Sequence, residues 1–285
     1  MKNYPAFIVD AFAEKPFSGN AAGVVILGED GFPEEKLLIK LAAELKHSET
    51  AFVRQTGENE FEIRYYTPVC EAALCGHATV AAFTALRENC GVLPGDKLVH
   101  TTAGDIIVTV EETAVWLDMA EAKLIRYLDD AECAELYSAY GLDYEPEMAV
   151  RPAIVSVGLA DIMLPVGSEI LLNSARQNAA AVSEMSRRLK VTGVHMFCLG
   201  RYGYTACCRN FAPLYGIDEE CATGTSNGGL YQYLVENKII LPGSAAAFLQ
   251  GEAMGRPSVV YARSENGRVR VGGGGAVLMR GEIQF

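Results

Sequence analysis

Two stretches of the sequence place a cysteine directly before the start of an apolar helix pattern. Residues 71–79 read EAALCGHAT and are followed by VAAFTAL, and residues 218–226 read DEECATGTS and are followed by NGGLYQYL. Their cysteines, Cys75 and Cys221, are separated by about half of the 285 residues. This arrangement is typical of a duplicated unit, so the pattern predicts two similar lobes.

The segments around both junctions predict an α+β fold. Alternating or continuous apolar runs such as 4–12, 21–27, 192–200 and 204–213 are typical of strands, and each half adds one apolar helix after its cysteine. We therefore expect two pseudo-symmetric lobes, each a mostly antiparallel curved sheet or barrel wrapped around a central helix. The expected lobes are residues 1–120 and 121–285, with the last strands allowed to return to the first lobe.

Two further segments have a helical appearance. Residues 120–142, near the expected boundary, are charged and predict a helix that links the lobes. Residues 172–189, LNSARQNAAAVSEMSRRL, predict one continuous helix in the second lobe.

Composition excludes several classes of protein. Half of the residues are hydrophobic and 21% are charged, which rules out a disordered chain. The 24 Lys and Arg against 36 Asp and Glu give a net charge of −12, so no nucleic-acid or anionic-membrane partner is expected. No apolar run approaches the ~18 residues of a membrane span.

The start of the chain and its eight cysteines suggest a cytoplasmic protein. Residues 1–12 carry one Lys and have Asp10 within the apolar run, which argues against a signal peptide. Cysteines outside the secretory route are expected to be reduced thiols rather than disulfides.

The two junctions predict a specific chemistry. A helix N-terminus offers unpaired N–H groups and a partial positive charge, which favour a thiolate and bind an anion such as a carboxylate. Gly76 and Gly224 allow the backbone to approach a ligand closely. A thiol on each face of a carbon next to that carboxylate would supply the base and the acid that invert the centre. This chemistry requires no cofactor and no metal.

Motifs spread over nearly the whole chain carry a resemblance to a known family. They are FSGNAAGVV (17–25), SETAF (48–52), YYTPVCEAALCGHAT (65–79), TTAGDI (101–106), FAPLYGIDEECATGTS (211–226), LQGEAMGRPS (249–258) and VGGGGAVLMRGEI (271–283). Together they resemble the phenazine-biosynthesis PhzF-like isomerases, within the diaminopimelate epimerase and proline racemase superfamily.

The resemblance implies roles for particular residues. In PhzF-like isomerases the glutamate of the SET motif moves a proton on the substrate, and it corresponds to Glu49. The motif histidine corresponds to His77, and the acidic residue before the ATGS-type stretch to Glu220, where the family pattern has Asp. Cys221 departs from the usual Pro or Ala, so that Cys75 and Cys221 look like the thiol pair of the epimerases and racemases.

Three functions remain open at this point. The first is a racemase or epimerase with Cys75 and Cys221 as paired acid and base. The second is a PhzF-like isomerase in which Glu49 alone shifts a proton and a double bond. The third is a carboxylate-binding protein without activity. The expected partner is a small-molecule carboxylate, and relatives suggest a homodimer.

Predicted site residues fall into two groups. The catalytic group is Glu49, Cys75, Cys221, His77 and Glu220. The substrate-binding group is Asn20, Gly76, Gly224, Thr225 and Ser226. The resemblance places Asn20 near the amino or carboxylate end of the substrate.

Two rival sites are less well supported by the sequence. A zinc site from Cys70, Cys75 and His77, or from the pair Cys207 and Cys208, fits no usual spacing, so no metal is expected. A Cys/His hydrolase would need a third residue to orient His77, and the sequence marks none.

Overall fold

A computed structural model describes residues 2–146, 150–201 and 203–285, apart from the side chain of residue 201. The strands are β1 (Asn3–Ala11), β2 (Asn20–Ile26), β3 (Thr50–Gly57), β4 (Glu60–Tyr66), β5 (Glu71–Ala72), β6 (Gly95–Thr101), β7 (Gly104–Val110), β8 (Val115–Asp118), β9 (Lys123–Tyr127), β10 (Ala153–Ser156), β11 (Ala160–Pro165), β12 (Gly193–Arg201), β13 (Tyr204–Ala212), β14 (Ile217–Glu220), β15 (Ala246–Gln250), β16 (Ser258–Glu265), β17 (Arg268–Gly273) and β18 (Gly275–Gln284). The helices are α1 (Glu35–Leu45), α2 (Gly76–Asn89), α3 (Asp130–Ala139), α4 (Glu169–Ser174), α5 (Ala179–Leu189) and α6 (Gly224–Glu236), with short 3-10 helices at Pro213–Tyr215 and Glu252–Met254.

The chain divides into two compact units. Unit 1 comprises Met1–Asp118 together with Gly272–Phe285, and unit 2 comprises Met119–Val271. The last strand, β18, belongs to unit 1, where it pairs antiparallel with β1.

Unit 1 is a mostly antiparallel sheet around α2. Its strands follow the order β18-β1-β2-β3-β4-β6-β7-β8, in which β2–β3 and β4–β6 are parallel pairs and the other neighbours are antiparallel. A parallel pair needs a long crossover, which α1 provides for β2–β3 and α2 for β4–β6. Residues 77–86 of α2 are all buried, as expected for a helix with apolar or small residues on every face.

Unit 2 repeats this topology. Its order is β9-β10-β11-β12-β13-β15-β16, with parallel pairs at β11–β12 and β13–β15. The crossovers contain α4 and α5 in the first case and α6 in the second. Most of α6 is buried. Helices α3 and α5 pack into a core cluster that includes Ile162, Val194 and Phe211. The predicted α+β class, with a central helix in each of two similar lobes, is confirmed.

Two predictions of local structure were wrong. Residues 123–127 form strand β9 rather than helix, because they pair with β10, which lies distant in sequence. Helix α3 begins only after Asp129, whose side chain forms a capping box with Glu132. The single helix predicted over 172–189 is two helices, because Asn178 caps α5 and Ala175 ends α4 in an extended conformation.

In the part of the chain that the structure describes, none of the helices combines the length and the apolar character that crossing a membrane requires.

Candidate active site

Cys75 is the residue that precedes α2, and the backbone around it is firmly held. Its carbonyl oxygen accepts hydrogen bonds from the Thr79 N–H (3.0 Å) and the Thr79 hydroxyl (2.7 Å). That hydroxyl also lies 2.6 Å from the buried Tyr65 hydroxyl. The Cys75 side chain makes no capping hydrogen bond to the helix, and it is almost fully buried. Its sulfur therefore faces other side chains rather than the backbone of its own helix.

Three predicted catalytic side chains of unit 1 meet at this helix start. His77 Nδ1 lies 3.5 Å and Nε2 3.9 Å from the Cys75 sulfur, and Nε2 lies 3.3 Å from Glu49 Oε2. The Ser48 hydroxyl is 3.3 Å from the same Nε2. Candidate ligand atoms of Glu49, Cys75 and His77 all lie within 4.8 Å of one another. We call Glu49, Cys75 and His77 the unit 1 cluster.

The unit 1 cluster favours a protonated histidine beside an ionised glutamate. Burial opposes protonation of His77, but the adjacent Cys75 sulfur and the Glu49 carboxylate outweigh it and raise the pKa of His77 well above its usual value. Burial likewise opposes ionisation of Glu49, but hydrogen bonds from His77 and Ser48 and the charge of His77 leave the pKa of Glu49 below its usual value. Both shifts favour the ion pair of an imidazolium and a carboxylate.

The cluster contains an orienting residue that local spacing does not indicate. Cys75 and His77 are neighbours by sequence, but Glu49 reaches them only because β3 begins one residue after it and lies parallel to β2. Gly76 is the first residue of α2, and a Cβ placed there would meet no atom of the described residues within 4 Å other than its two chain neighbours and the backbone of its own helix. The space beside the backbone N–H groups of the first turn is thus open to a ligand.

Asn20 begins β2 and is largely buried. It pairs with Ala11 across the β1–β2 ladder, and the loop before it is held by a hydrogen bond from the Phe17 N–H to Asp10 Oδ2 (2.8 Å). Gly19 has φ +67°, and a Cβ there would overlap the Ala11 carbonyl oxygen, so only glycine fits. The loop therefore fixes the position of Asn20.

Unit 2 places Glu220 and Cys221 before the start of α6. Glu220 is the last residue of β14, and the Thr223 hydroxyl donates a hydrogen bond to its Oε2 (2.6 Å). Cys221 is buried, and Thr223 is the residue that precedes the helix. Glu220 and Cys221 thus lie in one short, bonded loop.

The residue that holds this loop was not predicted from the sequence. Gln250, fully buried at the end of β15, donates to the Glu220 carbonyl (2.6 Å) and to the Thr223 hydroxyl (3.1 Å), and accepts from the Thr223 N–H (3.2 Å). Gly251 follows with φ +84°, and a Cβ there would lie 2.6 Å from the Cys221 carbonyl oxygen. The LQGEAMGRPS motif contains both residues, but nothing in the sequence pairs them with residues 220–223.

Gly224, Thr225 and Ser226 form the first turn of α6, and Ser226 is bonded to buried partners. Its hydroxyl donates to Asp161 Oδ2 (2.6 Å) and accepts from Asn210 Nδ2 (3.0 Å). Burial raises the pKa of Asp161 although Ser226 and a backbone N–H favour its ionised form. Burial also lowers the pKa of the nearby His195 to about 4, so this histidine is neutral at physiological pH.

The two zinc sites considered from the sequence do not form as predicted, because Cys75 and His77 lie together with Glu49 rather than with Cys70. Cys70 is exposed in a turn, with its sulfur 3.5 Å from the Thr67 hydroxyl, and Cys207 and Cys208 are buried in β13. Within residues 2–146, 150–201 and 203–285, the unit 1 cluster is the one group of three potential metal-ligating side chains.

Comparison with known proteins agrees with this architecture. A family model described as phenazine biosynthesis-like protein (PhzC-PhzF) matches residues 9–281. An uncharacterized isomerase from Clostridium acetobutylicum is 30% identical over 311 residues, covering 99% of each chain. The crystal structure of the Bacillus anthracis phenazine biosynthesis protein of the PhzF family is similar over all of both chains, with 25% identity and a TM-score of 0.86. A hydroxyproline epimerase from Agrobacterium vitis shares the fold at 14% identity, with a TM-score of 0.59 over 99% of this chain and 91% of that one.

Two duplicated α+β units, each built around a helix that starts beside a buried cysteine, define the class of the protein: it is an enzyme, and an isomerase. The chain belongs to the PhzF family of phenazine biosynthesis-like proteins, and the resemblance carried by its motifs is confirmed.

Proposed function

We propose that the protein is a cofactor-independent racemase or epimerase that moves a proton α to the carboxylate of a small amino-acid-like substrate. Cys75 and Cys221 are the paired acid and base. The observation that carries the proposal is the unit 1 cluster, in which the Cys75 sulfur lies 3.5 Å from a histidine ring that favours its protonated form. An adjacent cation stabilises the thiolate, which is the form that removes a proton.

Each group of the unit 1 cluster then has a distinct task. Cys75 exchanges the proton, His77 supplies the positive charge beside the sulfur, and Glu49 orients the ring and balances its charge. The N–H groups at the start of α2, next to the open side of Gly76, bind the substrate carboxylate. Cys221, held in the loop that Gln250 fixes, serves as the second proton-transfer group.

Solvent exchange tests this mechanism. Wild-type protein is incubated in D2O with the separate enantiomers of a panel of amino acids and amino-acid-like acids, and loss of the α-hydrogen signal is followed by NMR. In a two-base enzyme each base serves one enantiomer. We therefore expect Cys75→Ser and Cys221→Ser each to abolish interconversion, by about 100-fold or more, while each variant still exchanges the α-hydrogen of one enantiomer. Cys70→Ser, an exposed thiol, is the control and retains full activity.

Glu49 as the only proton-transfer group is the second candidate. The specific observation in its favour is that the Glu49 carboxylate is ionised, hydrogen-bonded to His77 and still 23% exposed, so a substrate can reach it. In that case Cys221→Ser retains full activity and Glu49→Gln abolishes it. If no tested carboxylate exchanges its hydrogen but one of them binds, the protein is a carboxylate-binding module and both mechanisms are wrong.

The homodimeric state and the cytoplasmic location stay predictions. Light scattering after size-exclusion chromatography measures the first, and fractionation of cells that express the tagged chain measures the second.

A further inference from the structure

We propose that Glu49, Cys75 and His77 form a binding site for Zn²⁺, in which the metal binds the proposed proton-transfer residue Cys75 together with the two residues beside it. The sequence predicts no metal, because the spacing of Cys75 and His77 from Cys70 fits no usual zinc site. The structure instead combines these two residues with Glu49, which the sequence places far from both.

The distances fit zinc coordination. Zinc bonds of about 2.3 Å to sulfur and about 2.0–2.2 Å to nitrogen and oxygen place tetrahedral ligand atoms about 3.3–3.6 Å from one another. His77 Nε2 lies 3.3 Å from Glu49 Oε2 and 3.9 Å from the Cys75 sulfur. The nitrogen–oxygen pair is already at the required separation, the sulfur–nitrogen pair exceeds it by a few tenths of an ångström, and all three ligand atoms lie within 4.8 Å of one another.

The charges of the site also fit a divalent cation. Cys75 and His77 are largely buried, and the side chain of Glu49 is 23% exposed. Zinc binds the thiolate of Cys75 and the neutral ring of His77, so any proton on either group is released to solvent, and the thiolate and the Glu49 carboxylate together balance the two charges of the metal. Zinc binding therefore leaves the site neutral, which avoids the cost of an unpaired buried charge.

The surroundings hold the ligands, and Gly76, between Cys75 and His77 in the chain, borders open space. Cys75 is fixed through its carbonyl by Thr79, and Glu49 directly precedes β3. Apart from its two chain neighbours and the backbone of its own helix, no atom of the described residues lies within 4 Å of the position that a Cβ on Gly76 would take. Three protein ligands and one open position are typical of zinc sites that water or a substrate can reach.

Direct binding to the purified full-length protein tests the site. The protein, freed of metal with a chelator, is titrated with Zn²⁺ against a chromophoric indicator, and with Co²⁺ to observe the sulfur-to-cobalt absorption band. We expect one equivalent of tightly bound zinc and a cobalt band that shows thiolate ligation. Cys75→Ser, His77→Gln and Glu49→Gln should each weaken zinc binding by about 10-fold or more, and Cys75→Ser should abolish the cobalt band.

Two matched controls keep the result specific. Cys70→Ser removes a nearby exposed thiol, and His100→Gln removes a surface histidine whose ring nitrogens lie 2.8 Å from Glu60 and Asp105. Neither should change the binding. Thermal melting of the metal-free variants checks that each one folds, and the nearly isosteric Cys75→Ser is the decisive variant. Wild-type zinc affinity in folded Cys75→Ser, or loss of the site in either control, would overturn the proposal.

Inhibition is a separate consequence that rests on the proposed function. If the unit 1 cluster transfers the proton, one equivalent of zinc should stop α-hydrogen exchange, and a chelator should restore it. If zinc binds and α-hydrogen exchange is unchanged, the metal site is still supported, but the unit 1 cluster takes no part in the reaction. The two proposals therefore fail in distinguishable ways.

Discussion

Replacing Glu49 by Gln should lower the pKa of His77 by a predictable amount. The substitution keeps the size of the side chain and removes one negative charge 3.3 Å from Nε2. At that distance the interaction of two unit charges is about 5 kcal/mol with an effective dielectric constant near 20, and about 1 kcal/mol in bulk water. The pKa of His77 should therefore fall by about 1 to 4 units. The Cys75 sulfur remains beside the ring, so part of the upward shift should persist.

NMR titration of the histidine Cε1 protons measures this change. The chain has four histidines, and two of them provide internal references. His195 has its pKa lowered to about 4 by burial, and hydrogen bonds to Asp105 and Glu60 raise the pKa of the surface His100. The matched control is Glu60→Gln, which should lower the pKa of His100 and leave His77 unchanged. If His77 titrates identically in wild type and Glu49→Gln, the assigned ion pair is wrong.

The same pair makes stability depend on pH in a defined window. The raised folded pKa of His77 gives stability that is complete below its unfolded value near 6.5 and is lost as pH rises through the folded pKa. The lowered pKa of Glu49 gives stability that is present above about 4.5 and is lost as pH falls through the folded value. The difference in unfolding free energy between wild type and Glu49→Gln should therefore be largest between about pH 4.5 and about pH 6.5. In a pH series of urea melts this difference should become smaller at lower and at higher pH.

Three further substitutions test the open helix start at Gly76 and the loop that contains Cys221. Gly76→Ala enters open space, so stability should change by less than about 1 kcal/mol while substrate exchange falls by about 10-fold or more; a variant with full activity would exclude the carboxylate from this helix start. Gly251→Ala combines φ +84° with a contact of 2.6 Å to the Cys221 carbonyl oxygen and should cost about 2 kcal/mol or more in urea melts; wild-type stability would contradict that interpretation. Gln250→Met removes the hydrogen-bond partner of the Glu220 carbonyl and the Thr223 N–H and should lower the free energy of unfolding by about 3 kcal/mol. A smaller loss of stability than that of Gly251→Ala would mean that other groups bond to this carbonyl and this N–H.

Local sequence signals predicted the start of each central helix and the proximity of Cys75 to His77, because both depend on neighbouring residues. They failed where distant pairing decides the structure. Residues 123–127 are charged and predict a helix, but hydrogen bonding to β10 makes them a strand. Glu49 and Gln250 reach their partners only through the order of strands in each sheet. No local pattern encodes that order, so neither the third member of the unit 1 cluster nor the residue that holds the Cys221 loop could be found from spacing.

The two units share a backbone topology, but the side chains around their two cysteines differ in chemistry. In both units a strand leads through a short loop to a buried central helix, but the two cysteines do not stand at equivalent points. Cys75 directly precedes α2, whereas Thr223 directly precedes α6 and Cys221 lies two residues before Thr223. The Cys75 loop is accompanied by an imidazolium and a carboxylate, whereas the Cys221 loop is tied by the neutral amide of Gln250 and the hydroxyl of Thr223. A two-thiol reaction on this scaffold would therefore have unequal partners. Because the charged pair lies in unit 1, removal of Glu49 should slow exchange of the enantiomer served by Cys75 more than that of the enantiomer served by Cys221.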